Sequence, residues 1–229
     1  MQIIPAILEK TLPEIKEKLE LMAGLAKVIQ LDVCDGKFVM VQSWPYYRGR
    51  YSDDFARIIK EEEGMPFWKD FDYEADLFVS QPEQIARDFI IAGAKRIIFH
   101  AESENVLEIF KNFRAEFSKD EILSPELGIS LNLSTDNDAI LPYLEDADFV
   151  QFMGIANVGH QGEELDERVF GKVRQLRNNH PEVTISIDGG VTLDNAKRLK
   201  EEGADRLVSG SAILKSANII ETVRHFEGV

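Results

Sequence analysis

VIQLDVCDGK, residues 28–37, alternates apolar and polar side chains before it reaches a turn. Apolar residues occupy the odd positions from 29 to 33, and the intervening positions carry Gln30, Asp32 and Cys34. An alternation with a period of two residues predicts a β-strand whose two faces meet different surroundings. Because burying an unpaired amide or carboxylate costs free energy, we predict that the polar face lines a site and not a core.

Similar short runs recur along the chain, and each is followed by a segment with apolar residues three and four positions apart. The predicted strands are residues 3–8, 27–33, 74–79, 95–101, 127–133, 147–153, 182–188 and 205–210. Eight strand–helix alternations without a long linker indicate a parallel sheet, and eight within 229 residues favour a closed (β/α)8 barrel, the TIM-barrel class of α/β fold. We expect one barrel domain over residues 1–229.

The composition limits the classes of partner. The chain has 26 basic and 41 acidic residues, so its formal charge is −15, which argues against nucleic acid and against an anionic membrane. An anionic substrate is not excluded, because local backbone donors bind phosphate whatever the global charge. The single cysteine, Cys34, allows no intramolecular disulfide, and the first residues lack the pattern of a signal peptide. We therefore expect a cytoplasmic protein.

In a barrel of this class, functional side chains lie inside the carboxyl ends of the strands. Phasing each strand by its apolar side predicts the inward residues near those ends: Ala6, Gln30, Asp32, Glu74, Asp76, His100, Asn132, Gln151, Met153 and Asp188. Asp32, Asp76 and Asp188 would then converge at one mouth of the barrel. Side by side they would raise one another's pKa unless a cation lies among them.

Three glycine-containing segments follow the last three predicted strands: residues 157–162, 188–190 and 209–212. Loops at these places in a barrel often bind phosphate through backbone N–H groups, which glycine allows to approach the anion closely. The chain has no lysine–serine pair of the P-loop type, which argues against a nucleoside triphosphate.

Taken in chain order, these motifs resemble those of the ribulose-phosphate 3-epimerase family. QLDVCDGKFV (30–39) resembles the family's His-x-Asp-x-Met-Asp-Gly-His-Phe-Val, and FMGIANVGHQG (152–162) resembles its Met-Ser-Val-Asn-Pro-Gly-Phe-Gly-Gly. Further matching segments are IPAIL (4–8), DLFVSQPEQ (76–84), FHAES (99–103), IDGGV (187–191) and SGSAI (209–213). The similarity extends over nearly the whole chain.

The resemblance implies a ribulose-phosphate-binding barrel, an isomerase that interconverts ribulose 5-phosphate and xylulose 5-phosphate with the help of a divalent metal ion. Asp32 and Asp188 would be the two catalytic acids. The implied metal ligands are Gln30, Asp32, Asp76 and Asp188. The implied phosphate-binding residues are Gly159, His160, Gln161, Gly162, Gly189, Gly190, Gly210 and Ser211. Ala6 and Met153 would contact the substrate, and the expected partners are a phosphorylated ketose and further copies of the chain.

The departures from the family pattern fall in the metal site. Gln30 and Asp76 stand where the family has histidines, and Ala6 stands where it has a serine. Carboxylate and amide oxygens suit magnesium, manganese or calcium better than zinc, which imidazole suits. The sequence leaves open whether the ion is Mg, Mn or Zn, or whether none is bound and Lys37 supplies the positive charge. Glu74 is a second candidate beside Asp76.

Two rival functions stay open. One is a lyase like hexulose-phosphate synthase, although Glu74 replaces the lysine of that family's Asp-x-Lys-x-x-Asp motif. The other is a barrel that binds a sugar phosphate without epimerase activity. The aromatic segment 42–51 is also ambiguous, because Arg48 and Arg50 could close over a phosphorylated ligand or belong to an oligomer contact.

Overall fold

The computed structural model describes residues 1–119, 121, 123–160 and 162–229. Within them, eight parallel strands form a closed barrel in which every strand pairs with its neighbours in sequence and the last pairs with the first. The strands are Gln2–Ile7 (β1), Val28–Cys34 (β2), Asp72–Phe78 (β3), Arg96–His100 (β4), Glu126–Leu131 (β5), Phe149–Met153 (β6), Thr184–Asp188 (β7) and Arg206–Ser209 (β8). The predicted fold class is confirmed.

Helices cover the outside of the barrel. They are Leu12–Met22 (α1), Asp53–Ile58 (α2), Glu83–Ile91 (α3), Val106–Glu116 (α4), Arg168–Asn179 (α5), Leu193–Glu202 (α6), Ser211–Leu214 (α7) and Ile219–Glu227 (α8), with a 3-10 helix over Asn137–Tyr143. The helix α6 shows how local sequence sets the ends of a helix. Thr192 and Asn195 form a capping box at its start, and Gly203 ends it at φ +114°. Among the described residues, no helix has the length and apolar character that crossing a bilayer requires.

The alternation in β2 separates two environments. Ile29, Leu31 and Val33 are buried in the layer between the barrel and its helices. Gln30 points the other way, because its side chain reaches Asp188 of β7 across the interior. The polar face of β2 therefore lines the inside of the barrel, as its sequence predicts.

The segment between β2 and β3 carries a short hairpin in which Tyr46–Tyr47 pairs with Arg50–Tyr51. Trp44 anchors it: the indole is buried edge-on against Phe55 of α2, and its Nε1 donates to Asp54 Oδ1 at 2.9 Å. Trp44 thus packs inside this chain and Tyr46 and Tyr51 are partly buried, whereas Tyr47 and the two arginines of the hairpin are exposed.

Candidate active site

Three aspartates meet at the carboxyl ends of the barrel strands. Asp32 of β2 is in register with Asp76 of β3, and Asp188 ends β7. One carboxylate oxygen from each lies within 4.8 Å of the others. Asp76 and Asp188 are buried, and Asp32 is partly exposed at the opening. The structure thus brings together the three acids that the strand phasing predicts to converge.

Gln30 joins two of these acids. Its amide nitrogen Nε2 donates to Asp32 Oδ1 at 2.8 Å and to Asp188 Oδ2 at 2.9 Å. The amide oxygen, Oε1, is buried and has no hydrogen-bond partner among the described residues. The two acids come from strands three steps apart around the barrel, and this one amide links them.

The burial of the acids changes their protonation. It raises the pKa of Asp32 to about 8, and the negative charge of Asp76 acts in the same direction. It also raises the pKa of Asp188 well above the ordinary aspartate value, with further contributions from Asp32 and Asp76. Hydrogen bonds from Gln30 oppose both shifts. Without a cation beside them, burial and the neighbouring negative charges thus favour the protonated form of both carboxyl groups.

The donor set suits a divalent metal ion. Three carboxylates of this spacing offer oxygen ligands, and the unpartnered Gln30 Oε1 becomes a fourth if the amide rotates to exchange its oxygen and nitrogen. An all-oxygen set of this kind favours a hard cation. The side chains of Gln30, Asp32, Asp76 and Asp188 thus fit the predicted ligand set, with Gln30 needing that rotation.

Asp76 is itself held by two partners. Its Oδ1 lies 2.8 Å from His100 Nε2 of β4, and its Oδ2 accepts from Gln151 Nε2 of β6 at 2.7 Å. Ser186 of β7 in turn donates to Gln151 Oε1 at 3.2 Å. His100 and Gln151, both predicted to face inward, thus contact a site residue, but the sequence does not indicate which one.

Glu74 is the candidate that the structure removes from the site. It faces inward, but it lies two residues nearer the amino-terminal end of β3 than Asp76, where its Oε2 is 3.0 Å from Arg96 Nη1. The prediction of Glu74 beside Asp76 at the mouth is therefore wrong. Lys37 is exposed and makes no described contact with the acids. Cys34 is buried against Val39, and burial raises the pKa of its thiol, so it is a packing residue.

A pocket opens beside the acids, and the predicted phosphate-binding residues line it. Those described are Gly159, His160, Gly162, Gly189, Gly190, Gly210 and Ser211. Asp32, Asp188, Ala6 and Met153 line the same pocket, whereas Gln161 lies outside the described residues. The pocket also has apolar walls that sequence reasoning missed, formed by Leu8, Phe78, Ile155, Val191 and Val208. An apolar residue at a strand end gives no signal that separates a substrate wall from a core.

Gly190 shows why this loop needs glycine. Its φ is +70°, a left-handed conformation that side chains rarely adopt, and a Cβ there would lie 2.5 Å from the backbone nitrogen of Leu165. The β7 loop therefore packs directly on the backbone of the segment that follows β6. Ser209 Oγ donates to Val191 O at 3.0 Å and ties the end of β8 to the same loop.

Known proteins share both the sequence and the fold of this chain. The family model described as "Ribulose-phosphate 3 epimerase family" matches residues 49–214. The chloroplastic ribulose-5-phosphate-3-epimerase of Arabidopsis thaliana is 29% identical, covering 96% of this chain and 74% of the relative. This relative is an isomerase, which confirms the prediction of an enzyme of that class.

Two solved structures share the fold. The KGPDC of Streptococcus mutans in complex with D-R5P has a TM-score of 0.73 at 14% identity, covering 99% of this chain and 95% of that one. The 3-hexulose-6-phosphate synthase of Salmonella typhimurium has a TM-score of 0.71 at 16% identity, covering 100% and 97%. At such identities the likeness concerns the barrel alone. Because this family model matches most of its length, the chain belongs to the ribulose-phosphate 3 epimerase family.

Proposed function

We propose that this protein interconverts ribulose 5-phosphate and xylulose 5-phosphate by moving a proton at C3 of the ketose. One observation carries the proposal: Asp32 and Asp188 line the same pocket as the glycine-rich loops after β6, β7 and β8. This arrangement offers two acids for the sugar carbon and backbone donors for the phosphate at the other end of a short ketose.

The chemistry requires one acid on each face of C3. The C3–H bond is acidified by the neighbouring C2 carbonyl, so an ionised carboxylate removes that proton and leaves an enediolate. The second acid, protonated, then delivers a proton to the opposite face of C3, and the configuration inverts. Each turnover exchanges the protonation states of Asp32 and Asp188. The pKa of Asp32, raised to about 8, supports this role, because a proton-transfer group works best when its pKa lies near the working pH. The pKa of Asp188 is raised in the same direction.

The phosphate would be bound by backbone N–H groups and not by lysine or arginine. Among the described residues that line the pocket, the only basic side chain is His160. Fixed backbone donors of the segments around Gly162, Gly190 and Gly210 compensate for this, because they bind an anion without bringing a charge. The overall charge of −15 makes such local donors necessary for an anionic substrate.

A divalent ion would be held by Asp32, Asp76 and Asp188, with Gln30 Oε1 after the amide has rotated. When bound, it supplies an electrophile for the negative charge that develops on the substrate oxygens. We propose magnesium or manganese over zinc, because every side chain in this set donates oxygen. Gln30 orients the two acids through its hydrogen bonds, and Asp76 and Asp188 are buried away from bulk water.

One rival function has a specific observation in its favour. A barrel that binds a sugar phosphate without chemistry would have no need to free its acids, and Gln30 ties Asp32 to Asp188 by two hydrogen bonds. The lyase alternative loses support, because Glu74, at the position of the lyase lysine, is an acid and is paired with Arg96 below the carboxylate cluster.

The test follows the C3 proton. The protein is incubated with ribulose 5-phosphate in heavy water, with Mg²⁺, Mn²⁺ or Zn²⁺ and without metal, and C3 is observed by NMR. We expect xylulose 5-phosphate that carries deuterium at C3. Binding without exchange under every condition would favour the non-catalytic barrel, and formation or cleavage of a carbon–carbon bond would favour a lyase.

A cytoplasmic location and an assembly of identical chains are also proposed. Cys34, the single cysteine, is free and buried, which accords with a reducing compartment. Sedimentation of the purified protein would measure the number of chains, and fractionation of cells that express the tagged protein would test the location.

A further inference from the structure

His100 is a fully buried histidine that the reaction outlined above does not use. It ends β4, the strand next to that of Asp76, and its Nε2 lies 2.8 Å from Asp76 Oδ1. Neither side chain is exposed to solvent. A wholly buried histidine in contact with a buried carboxylate is costly to maintain unless the pair stabilises the fold or serves the site.

The pair fixes the orientation of the Asp76 carboxylate. His100 contacts one of its oxygens, and Gln151 donates to the other at 2.7 Å. Gln151 is held in turn by Ser186. With a partner on each oxygen, the carboxylate cannot rotate about its χ2 bond without breaking two hydrogen bonds. Each oxygen still keeps a lone pair for a ligand.

Two aromatic side chains pack against the imidazole of His100 and limit its movement. Its ring lies 4.3 Å from the ring of Phe78 and 5.2 Å from that of Phe38, measured between centroids. Phe38 belongs to a turn organised by Asp35, which accepts from the backbone nitrogens of Phe38 and Ser80 at 2.9 Å each. The turn therefore ties the ends of β2 and β3 together beside His100.

The hydrogen-bond pattern also assigns the role of each ring nitrogen. Nδ1 of His100 is buried without a partner among the described residues, whereas Nε2 faces a carboxylate oxygen that can only accept when ionised. With Asp76 as a metal-binding carboxylate, the proton would therefore lie on Nε2, and His100 would donate to Asp76. Histidines and carboxylates in such pairs are common behind metal ligands, where the outer partner orients the inner one.

We propose that His100 is a positioning residue that orients the Asp76 carboxylate for a divalent cation held with Asp32 and Asp188. In this arrangement an aspartate occupies the inner position on β3, and the imidazole stands one strand further along, behind it. The inference deepens the proposed function, because it concerns the metal site on which that function draws. It does not depend on which ketose the enzyme takes.

The test compares metal affinity in matched variants. His100→Leu removes the donor to Asp76, His100→Gln keeps an amide N–H at about the position of Nε2, and Asn137→Leu removes a buried hydrogen bond to Lys172 O, outside the barrel interior. Binding of Mn²⁺ is measured by electron paramagnetic resonance and by calorimetry. We expect His100→Leu to bind Mn²⁺ about 10- to 100-fold more weakly. His100→Gln and Asn137→Leu should stay within a few-fold of the unchanged protein.

Kinetics supply a second readout. His100→Leu should lower kcat at saturating metal and leave KM for the ketose phosphate nearly unchanged, because His100 does not line the substrate pocket. If His100→Leu does not fold, the unchanged protein with ¹⁵N-labelled histidine still tests the proposal. Addition of Mg²⁺ should then shift the Nε2 resonance of the buried histidine and leave its proton on Nε2.

Three results would overturn the proposal. They are an unchanged protein that binds no Mn²⁺, a His100→Leu variant that binds it as tightly as the unchanged protein, and a histidine spectrum that Mg²⁺ does not alter. Failure of the proposed function looks different: metal binding would still depend on His100, but no deuterium would enter C3 of ribulose 5-phosphate.

Discussion

The two ends of the barrel interior pair their carboxylates in opposite ways. At the amino-terminal end, Arg96 lies 3.0 Å from Glu74 and 2.9 Å from Glu126, and Arg206 lies 3.0 Å from Glu126. At the mouth, Asp32, Asp76 and Asp188 meet with no lysine or arginine paired to them in the part of the chain that the structure describes. The first group is internally neutralised, and the second is not.

The difference separates a structural use of buried charge from a functional one. A carboxylate paired with an arginine is already neutralised, so a bound cation does not stabilise it further. An acid cluster without a cation holds protons or attracts a metal ion, and both states are chemically useful. Burial raises the pKa of Glu74 too, but there Arg96 and Arg206 oppose the effect, whereas nothing cationic opposes it at Asp188.

The largest expected effect comes from removing an acid at the mouth. Asp32→Asn and Asp188→Asn should each lower the rate of C3 exchange by about 10²- to 10⁴-fold, because each removes one of the two proton-transfer groups. Glu74→Gln, the matched change at the other end, should leave the rate within about 2-fold. Exchange into ribulose 5-phosphate in heavy water measures all three. Equal losses in all three variants would refute the division between the two ends.

The free energy of unfolding should rank these variants in the reverse order, with the larger loss for the change at Glu74. Glu74→Gln leaves Arg96 with one buried partner fewer, and we expect a loss of about 2 kcal/mol in the free energy of unfolding, less than for a fully buried pair because Arg96 also contacts Glu126. Asp188→Asn removes repulsion among the acids and should leave the metal-free protein as stable as before or more so. Urea unfolding in EDTA measures both changes, and a destabilised Asp188→Asn would contradict the comparison.

The carboxylates at the mouth should also make the free energy of unfolding depend on pH. Asp32 has a pKa of about 8 in the folded protein, so it keeps a proton that the unfolded chain releases near pH 4. The contribution of this proton to the free energy of unfolding is therefore fully present below about pH 4 and is lost as pH rises towards 8. The free energy of unfolding falls by up to about 1.4 kcal/mol per pH unit for each proton. Thermal unfolding of the metal-free protein at pH 5 and pH 8 checks the sign. Asp32→Asn should reduce the slope, and Mg²⁺ should restore stability at pH 8.

A smaller effect is expected from the identity of the residue that bridges the acids. Gln30→His places an imidazole, a nitrogen ligand, at the position where the family has one, and it should shift the preference of the site from Mn²⁺ towards Zn²⁺ by about 10-fold. Competition between the two ions, followed by calorimetry, measures the shift. An unchanged preference would mean that Gln30 does not contribute to the metal site.

The smallest effect concerns the exposed hairpin. The double change Arg48→Ala and Arg50→Ala should alter KM for the ketose phosphate by less than about 2-fold, since both side chains are exposed and neither lines the pocket. A KM raised 10-fold or more would instead show that the hairpin closes over the phosphate.

The sequence predicts the barrel well because the alternation of side chains records which face of each strand meets the helices. It predicts Asp32, Asp188 and the glycine loops because a short motif carries each of them. The position of a residue along its strand is harder to predict than the face on which it lies. The strand β3 begins at Asp72, two residues before the predicted start. Glu74 therefore faces inward as predicted, but it lies nearer the amino-terminal end of the barrel than the mouth. The bond from His100 to Asp76 and the bridge through Gln30 join different strands, and no single segment encodes either one.

The shared amide of Gln30 has a consequence for the affinity of a metal ion at this site. A cation that takes Gln30 Oε1 as a ligand must displace the two hydrogen bonds that this amide donates to Asp32 and Asp188. The observed affinity is therefore the difference between the new contacts and the old ones. A variant in which the side chain at position 30 forms weaker hydrogen bonds to the acids would bind the same ion more tightly without gaining any contact to it.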